Sequence, residues 1–137
     1  MPCPLFEPQR VAEDPHSTAA RLPLLEEYDG LCHAGEPQET VPPELRFRCC
    51  NHGYSQGVCR AFPAGEKRAS LRYTVTRSDP NTIQLMLITE QDYTPVSWQS
   101  LEYFVGSECI QPDLADPCLH AQVLAFCRSY LKLFSRQ

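Results

Sequence analysis

The sequence predicts an α+β fold: a small antiparallel sheet of about three strands, covered by a C-terminal amphipathic helix, with a loop-rich cysteine subdomain beside it. Three observations predict it. Apolar residues alternate through much of the stretch from Ser70 to Val105, they recur at helical spacing from Cys118 to Phe134, and between Cys32 and Cys59 cysteines gather where neither period is visible.

The strands come first in that argument. "SLRYTVTRS", Ser70 to Ser78, sets Leu71, Tyr73 and Val75 against Arg72, Thr74 and Thr76, the pattern of a strand with one buried face. Asp79, Pro80 and Asn81 then supply turn chemistry, and "TIQLMLITE" reads as a second, more deeply buried strand, so the two should form a hairpin. "VSWQSLEYFV", Val96 to Val105, is rich in aromatic and β-branched residues and gives the third strand, a short helix being the alternative its composition admits.

The helix is the clearest element. Asp116 and Pro117 provide an N-cap and first-turn pair. Leu119, Val123, Leu124, Phe126, Tyr130, Leu131, Leu133 and Phe134 then fall on one half of the helical wheel, and Gln122, Arg128, Ser129 and Lys132 on the other.

Upstream, Pro2, Pro4, Pro8 and Pro15 punctuate residues 1–20, which read as an extended arm. "TAARLPLLEEYDGL", from Thr18, could start a short helix that Pro23 interrupts, and residues 35–45 form a Pro-rich connector. The 137 residues suit a single domain, 1–137, divided into the arm, a cysteine-rich loop region over 30–65, and the sheet plus helix over 70–137.

Composition narrows the classes. The N-terminus has prolines and acids where a signal peptide needs a basic and then an apolar region, and no run approaches the roughly 18 apolar residues of a membrane span. The expectation is a soluble, cytoplasmic protein with no membrane partner, where thiols stay reduced and cysteine clusters bind metal or react more often than they pair. An even count of 8 Cys leaves four disulfides as the reading for an oxidising compartment. The net charge of -5 is unevenly spread: residues 46–77 hold seven bases and one acid, between acidic flanks. A local positive field there would suit an anionic occupant or partner, the plainer reading being a solvated face. Its aromatics Phe47, Tyr54, Phe62 and Tyr73 form no known stacking motif, so a redox or protein partner is expected rather than nucleic acid.

The cysteines carry the functional reading. Cys32, Cys49, Cys50 and Cys59 lie in segments of weak secondary-structure signal, where a bound metal can supply the ordering energy that loops lack. Thiolates suit zinc or an iron–sulfur cluster, each asking for about four ligands. Adjacent Cys49 and Cys50 would point apart in extended backbone, so both can serve one site only where the chain turns sharply. Cys118, in the first turn of the helix, is the candidate remote fourth ligand, with Cys109 behind it; its place at a helix N-terminus also predicts a lowered thiol pKa. His33 and His52 neighbour cysteines but read first as exposed loop histidines, His120 as a packed histidine, and Cys127 as a buried core thiol. Cys3, in the arm, has no assigned role.

"CC" followed by "GVCRAFP", Gly57 to Pro63, resembles the motifs of small bacterial proteins described as zinc- or iron-chelating domains, which combine a CxxC-CC region with a later CRxFP. The match covers about fifteen residues. Here Cys32 stands alone where the family shows a CxxC, and the interval between the two motifs is shorter. The resemblance implies that Cys49, Cys50 and Cys59 are metal ligands, with Arg60, Phe62 and Pro63 shaping the backbone around the last.

The leading expectation is therefore a metal-binding protein, not an enzyme on its own, holding an iron–sulfur cluster for electron transfer, redox sensing or structure, or else a zinc ion. Its ligands would come from Cys32, Cys49, Cys50, Cys59 and Cys118. A disulfide-stapled or plain interaction module is the alternative. A thiol enzyme using Cys118, or Cys50 near His52, ranks third because no motif supplies both a base and an oxyanion site.

Overall fold

The structure is a computed structural model that describes residues 2–13, 15, 22–34, 39–51, 59–68 and 70–134. The chain is α+β with two small antiparallel sheets rather than one, and the C-terminal helix.

The larger sheet has the order β4-β5-β6-β7, with β4 Ser70–Ser78, β5 Thr82–Gln91, β6 Thr94–Phe104 and β7 Cys109–Gln111. The β4–β5 turn is held by Asp79, whose Oδ1 accepts from the backbone N–H groups of Asn81 (2.8 Å) and Thr82 (2.9 Å). Between β5 and β6, Gln91 pairs with Thr94, so Asp92 and Tyr93 alone make the loop. Both have positive φ (51° and 62°), as a tight turn matched to strand twist requires, though neither is the glycine that would announce it.

The smaller sheet has the order β1-β2-β3: β1 Phe6–Val11, β2 Tyr28–Cys32 and the two-residue β3 Glu39–Thr40. It lies where the sequence predicts an extended arm and loops. Pro8 disguises β1, yet the pairing register shifts between Pro8 and Arg10, and such an irregularity is where a strand tolerates proline. Gly30 sits opposite, and a Cβ there would overlap the Glu7 carbonyl, so only glycine permits this approach. Nor is the start of the chain a solvated arm. Pro2 and Pro4 are fully buried, and the Pro2 carbonyl accepts from the Leu71 N–H at 3.2 Å.

The helix α2, Pro117–Phe134, starts as its sequence predicts, with Asp116 Oδ1 accepting from the Cys118 N–H at 2.9 Å. One face packs on the large sheet, where the Phe126 and Tyr73 rings lie 5.6 Å apart. The half that carries Gln122 and Ser129 is not a solvent face, because the small sheet and the N-terminal segment cover it. Gln122 is fully buried: its Nε2 donates to the carbonyls of Cys3 (2.7 Å) and Phe6 (2.8 Å), and its Oε1 accepts from the Tyr73 hydroxyl (2.8 Å). Ser129 meets the Tyr28 hydroxyl at 2.6 Å, and that hydroxyl also lies 2.9 Å from the Ala125 carbonyl. Arg128 and Lys132 do face outward, bridging to Glu108 and Glu26. Both layers contribute to one hydrophobic core, from Phe6, Leu24 and Tyr28 to Leu85, Tyr103 and Val123.

Three bases of the basic segment are paired with carboxylates, while Arg48 and Arg60 are exposed. Arg46 is 2% exposed and pairs with Glu27 at 2.7 Å and Asp29 at 3.4 Å; Arg68 pairs with Glu66 at 2.9 Å and Asp116 at 3.3 Å; Arg72 reaches Glu90 at 3.6 Å. Charge segregated along the sequence is recombined by the fold.

Candidate metal centre

The segment holding Cys49 and Cys50 is helical. Pro42 is extended and Pro43 opens a short α1, Pro43–Leu45, which runs on into a wider π-helical turn, Arg46–Asn51. Asn51 fixes that turn against the small sheet: its amide group donates to the Arg46 carbonyl (2.8 Å) and the Tyr28 carbonyl (3.0 Å), and accepts from the Tyr28 N–H (2.8 Å). One side chain thus does for Tyr28 what a neighbouring strand would do. The buried Arg46–Glu27 pair anchors the other end. This is the sharp turn that lets adjacent cysteines face one site.

Five thiols line one cavity of about 20 Å³: Cys3, Cys32, Cys49, Cys50 and Cys59. Leu5, Phe6 and Phe62 contribute to its apolar wall. Cys3 arrives from the N-terminal segment and its N–H donates to the Cys50 carbonyl at 3.0 Å. Cys32 ends β2, and its Sγ accepts from the Ala34 N–H at 3.4 Å. Cys59 opens the turn written "CRAFP", in which the Phe62 N–H returns to the Cys59 carbonyl at 3.2 Å and brings the ring to the same cavity.

The thiols perturb one another. Burial raises the Cys50 pKa most, followed by Cys3, Cys32, Cys49 and Cys59 in that order. Cys49 is raised by burial and then by Cys59, with which its thiol is hydrogen-bonded, while exposed Arg48 pulls the other way. No disulfide joins any of the eight cysteines. Among the described residues, no three His, Cys, Asp or Glu side chains are grouped as they would be around an ion. The five thiols share a cavity without closing on one point.

Of the sequence candidates, Cys32, Cys49, Cys50 and Cys59 come together here and Cys118 does not line the cavity. Cys118 is 2% exposed rather than on an open polar face. Its pKa is pushed up to about 12, by burial first and then by Asp116, the reverse of the lowering expected at a helix N-terminus. Burial is the main reason, and Asp116 adds to it by capping the free amides of that first turn and bringing a negative charge to them. Cys109 is exposed and stands apart on β7, whereas Cys127 is fully buried, as its place in the apolar stripe predicts. His33 is half-buried and its Nε2 lies 2.6 Å from Glu7 Oε1. His120 is exposed rather than packed, and His52 lies outside the described residues. The residue missed by sequence reasoning is Cys3, whose only signal was its spacing among buried prolines.

No helix among the described residues is long and apolar enough to cross a membrane. Comparison of the chain with protein-family models, curated proteins and solved structures gives no match.

Proposed function

We propose that this protein binds a thiolate-ligated metal centre, a zinc ion or an iron–sulfur cluster, using Cys32, Cys59 and one or both of Cys49 and Cys50. The observation that carries the reading is the gathering of these cysteines, from a strand end, a helical turn and a "CRAFP" turn, in the lining of one cavity.

The donor set fits. Soft thiolates are the ligands that zinc and iron–sulfur centres share, and among the described residues the cavity lining holds no histidine or carboxylate. A cavity of about 20 Å³ is comparable to the space of one small occupant, which favours a single zinc ion. The five thiols of the lining, with Arg48 beside Cys49, favour the cluster as second reading, since positive neighbours stabilise its net negative charge. In either case the metal replaces thiol protons, so binding releases protons and strengthens with pH. Bound zinc would supply ordering energy to three segments that have little regular structure of their own; a cluster would add a one-electron couple.

A thiol enzyme is the weaker reading, because burial raises both of its candidate nucleophiles, Cys50 and Cys118, above the ordinary thiol range.

Metal analysis and a visible spectrum of reduced protein purified without oxygen test the proposal. Zinc at one per chain with no colour supports the first form, and brown protein bleached by dithionite supports the second. A chain that carries no metal and takes up neither zinc nor iron with sulfide on reconstitution is a plain interaction module, and the proposal fails.

A further inference from the structure

We propose that Cys3 is a ligand of this centre and that Cys118 is not, so that metal binding fastens the N-terminal segment to helix α2. The inference rests on the metal-centre reading above and adds to it a ligand and a mechanical consequence.

Cys3 lines the cavity and is 7% exposed, whereas Cys118 is 2% exposed but outside the lining. The Cys3 main chain is held from three directions. The Cys3 N–H donates to the Cys50 carbonyl, on the helical turn, at 3.0 Å, and the neighbouring Pro2 carbonyl accepts from Leu71, on β4. The carbonyls of Cys3 and Phe6 both accept from Gln122 of α2, whose own oxygen is held by Tyr73 of β4. The backbone position of Cys3 is therefore fixed by the helical turn and α2, and its side chain lines the cavity.

Two consequences follow from chemistry alone. Docking of residues 2–11 and occupation of the cavity become one equilibrium, since each needs the other's geometry. Gln122 becomes a positioning residue: it is not among the residues that line the cavity, yet it holds the Cys3 carbonyl, as partners outside the ligand shell do in metal sites.

The test uses the full, reduced chain and its Cys3→Ser, Cys118→Ser and Gln122→Met variants, titrated with Zn(II) and with Co(II) as a spectroscopic probe. Cys3→Ser should lose about a hundredfold or more in zinc affinity, because structural zinc sites draw most of their free energy from thiolate ligation. It should also weaken the sulfur-to-cobalt charge-transfer band. Cys118→Ser should bind as the wild type does, and Gln122→Met should lose about 10- to 100-fold, with the band of the bound form unchanged. Zinc should slow amide exchange at Cys3 and Phe6 in the wild type and not in Cys3→Ser.

Should Cys3→Ser fail to fold, wild-type protein alone decides by competitive alkylation. Zinc should slow labelling of Cys3 at least about tenfold while Cys118 and Cys127 change less. Wild-type affinity retained in Cys3→Ser, or zinc protection of Cys118 in place of Cys3, overturns the assignment of Cys3 and leaves the metal centre standing. A wild-type chain that takes up neither Zn(II), Co(II) nor iron with sulfide removes the metal centre and this inference with it.

Discussion

The large sheet with α2 and the small sheet with its helical turn share one core but are organised by different forces. In the first, Leu71, Tyr73, Ile83, Leu85, Leu101 and Tyr103 line the inner face at the period of a strand, and Val123, Phe126 and Cys127 meet them at the period of a helix. Burial of apolar area is the organising term, and it is non-directional. In the second, position is set by particular polar groups: Arg46 with Glu27, Asn51 with Tyr28, Gln122 with Cys3 and Phe6. Directional bonds bring five thiols to the lining of one cavity, which generic apolar packing would not do.

Substitutions can break that comparison. The largest effect is expected from Glu27→Ala, which removes the closest partner of the buried Arg46 guanidinium and should cost about 3–5 kcal/mol in denaturant unfolding. It should also speed alkylation of Cys49 and Cys50. Leu85→Ala, at 1% exposure in the large sheet, should cost about 3 kcal/mol by loss of buried area and cavity formation. Its discriminating readout is cysteine reactivity. In the folded variant Cys50 should label at the wild-type rate, and a large acceleration would mean that the two regions are not organised separately.

Asn51→Ala strips three buried hydrogen bonds and leaves the Tyr28 N–H without its acceptor, for an expected loss of about 2 kcal/mol. Unlike Leu85→Ala it should lower zinc affinity, measured by competition with a chelating dye. Asp116→Ala removes the cap of α2 and should cost about 1 kcal/mol; with the carboxylate gone, the Cys118 thiol should titrate lower, read by thiolate absorbance against pH. The smallest effect is expected at Trp98, 65% exposed on the outer face of β6, where Trp98→Ser should change stability by less than about 0.5 kcal/mol.

The same comparison separates what could be read in advance. Strands β4 and β5, the third strand and α2 follow from alternation, turn residues and capping, because each is amphipathic on its own and its buried face is written into its period. The small sheet was hidden. β1 contains Pro8 and tolerates it through a register shift, while β2 is short and holds Gly30 for a close approach that only its partner strand explains. Asn51 reads locally as a turn former and becomes a strand surrogate only once Tyr28 is beside it.

Cys32, Cys49, Cys50 and Cys59 could be singled out from residue type and spacing, and the need for a sharp turn at the adjacent pair was a geometric consequence of the sequence. That the turn is helical, that Cys3 lines the same cavity as the other four thiols, and that Cys118 is buried beside Asp116 with a raised pKa were decided by tertiary structure. The physical reason is range. Periodicity and capping act within a few residues and are visible in any window of the chain. The cavity joins thiols separated by up to 56 positions, Cys3 to Cys59, through hydrogen bonds whose partners no local pattern identifies.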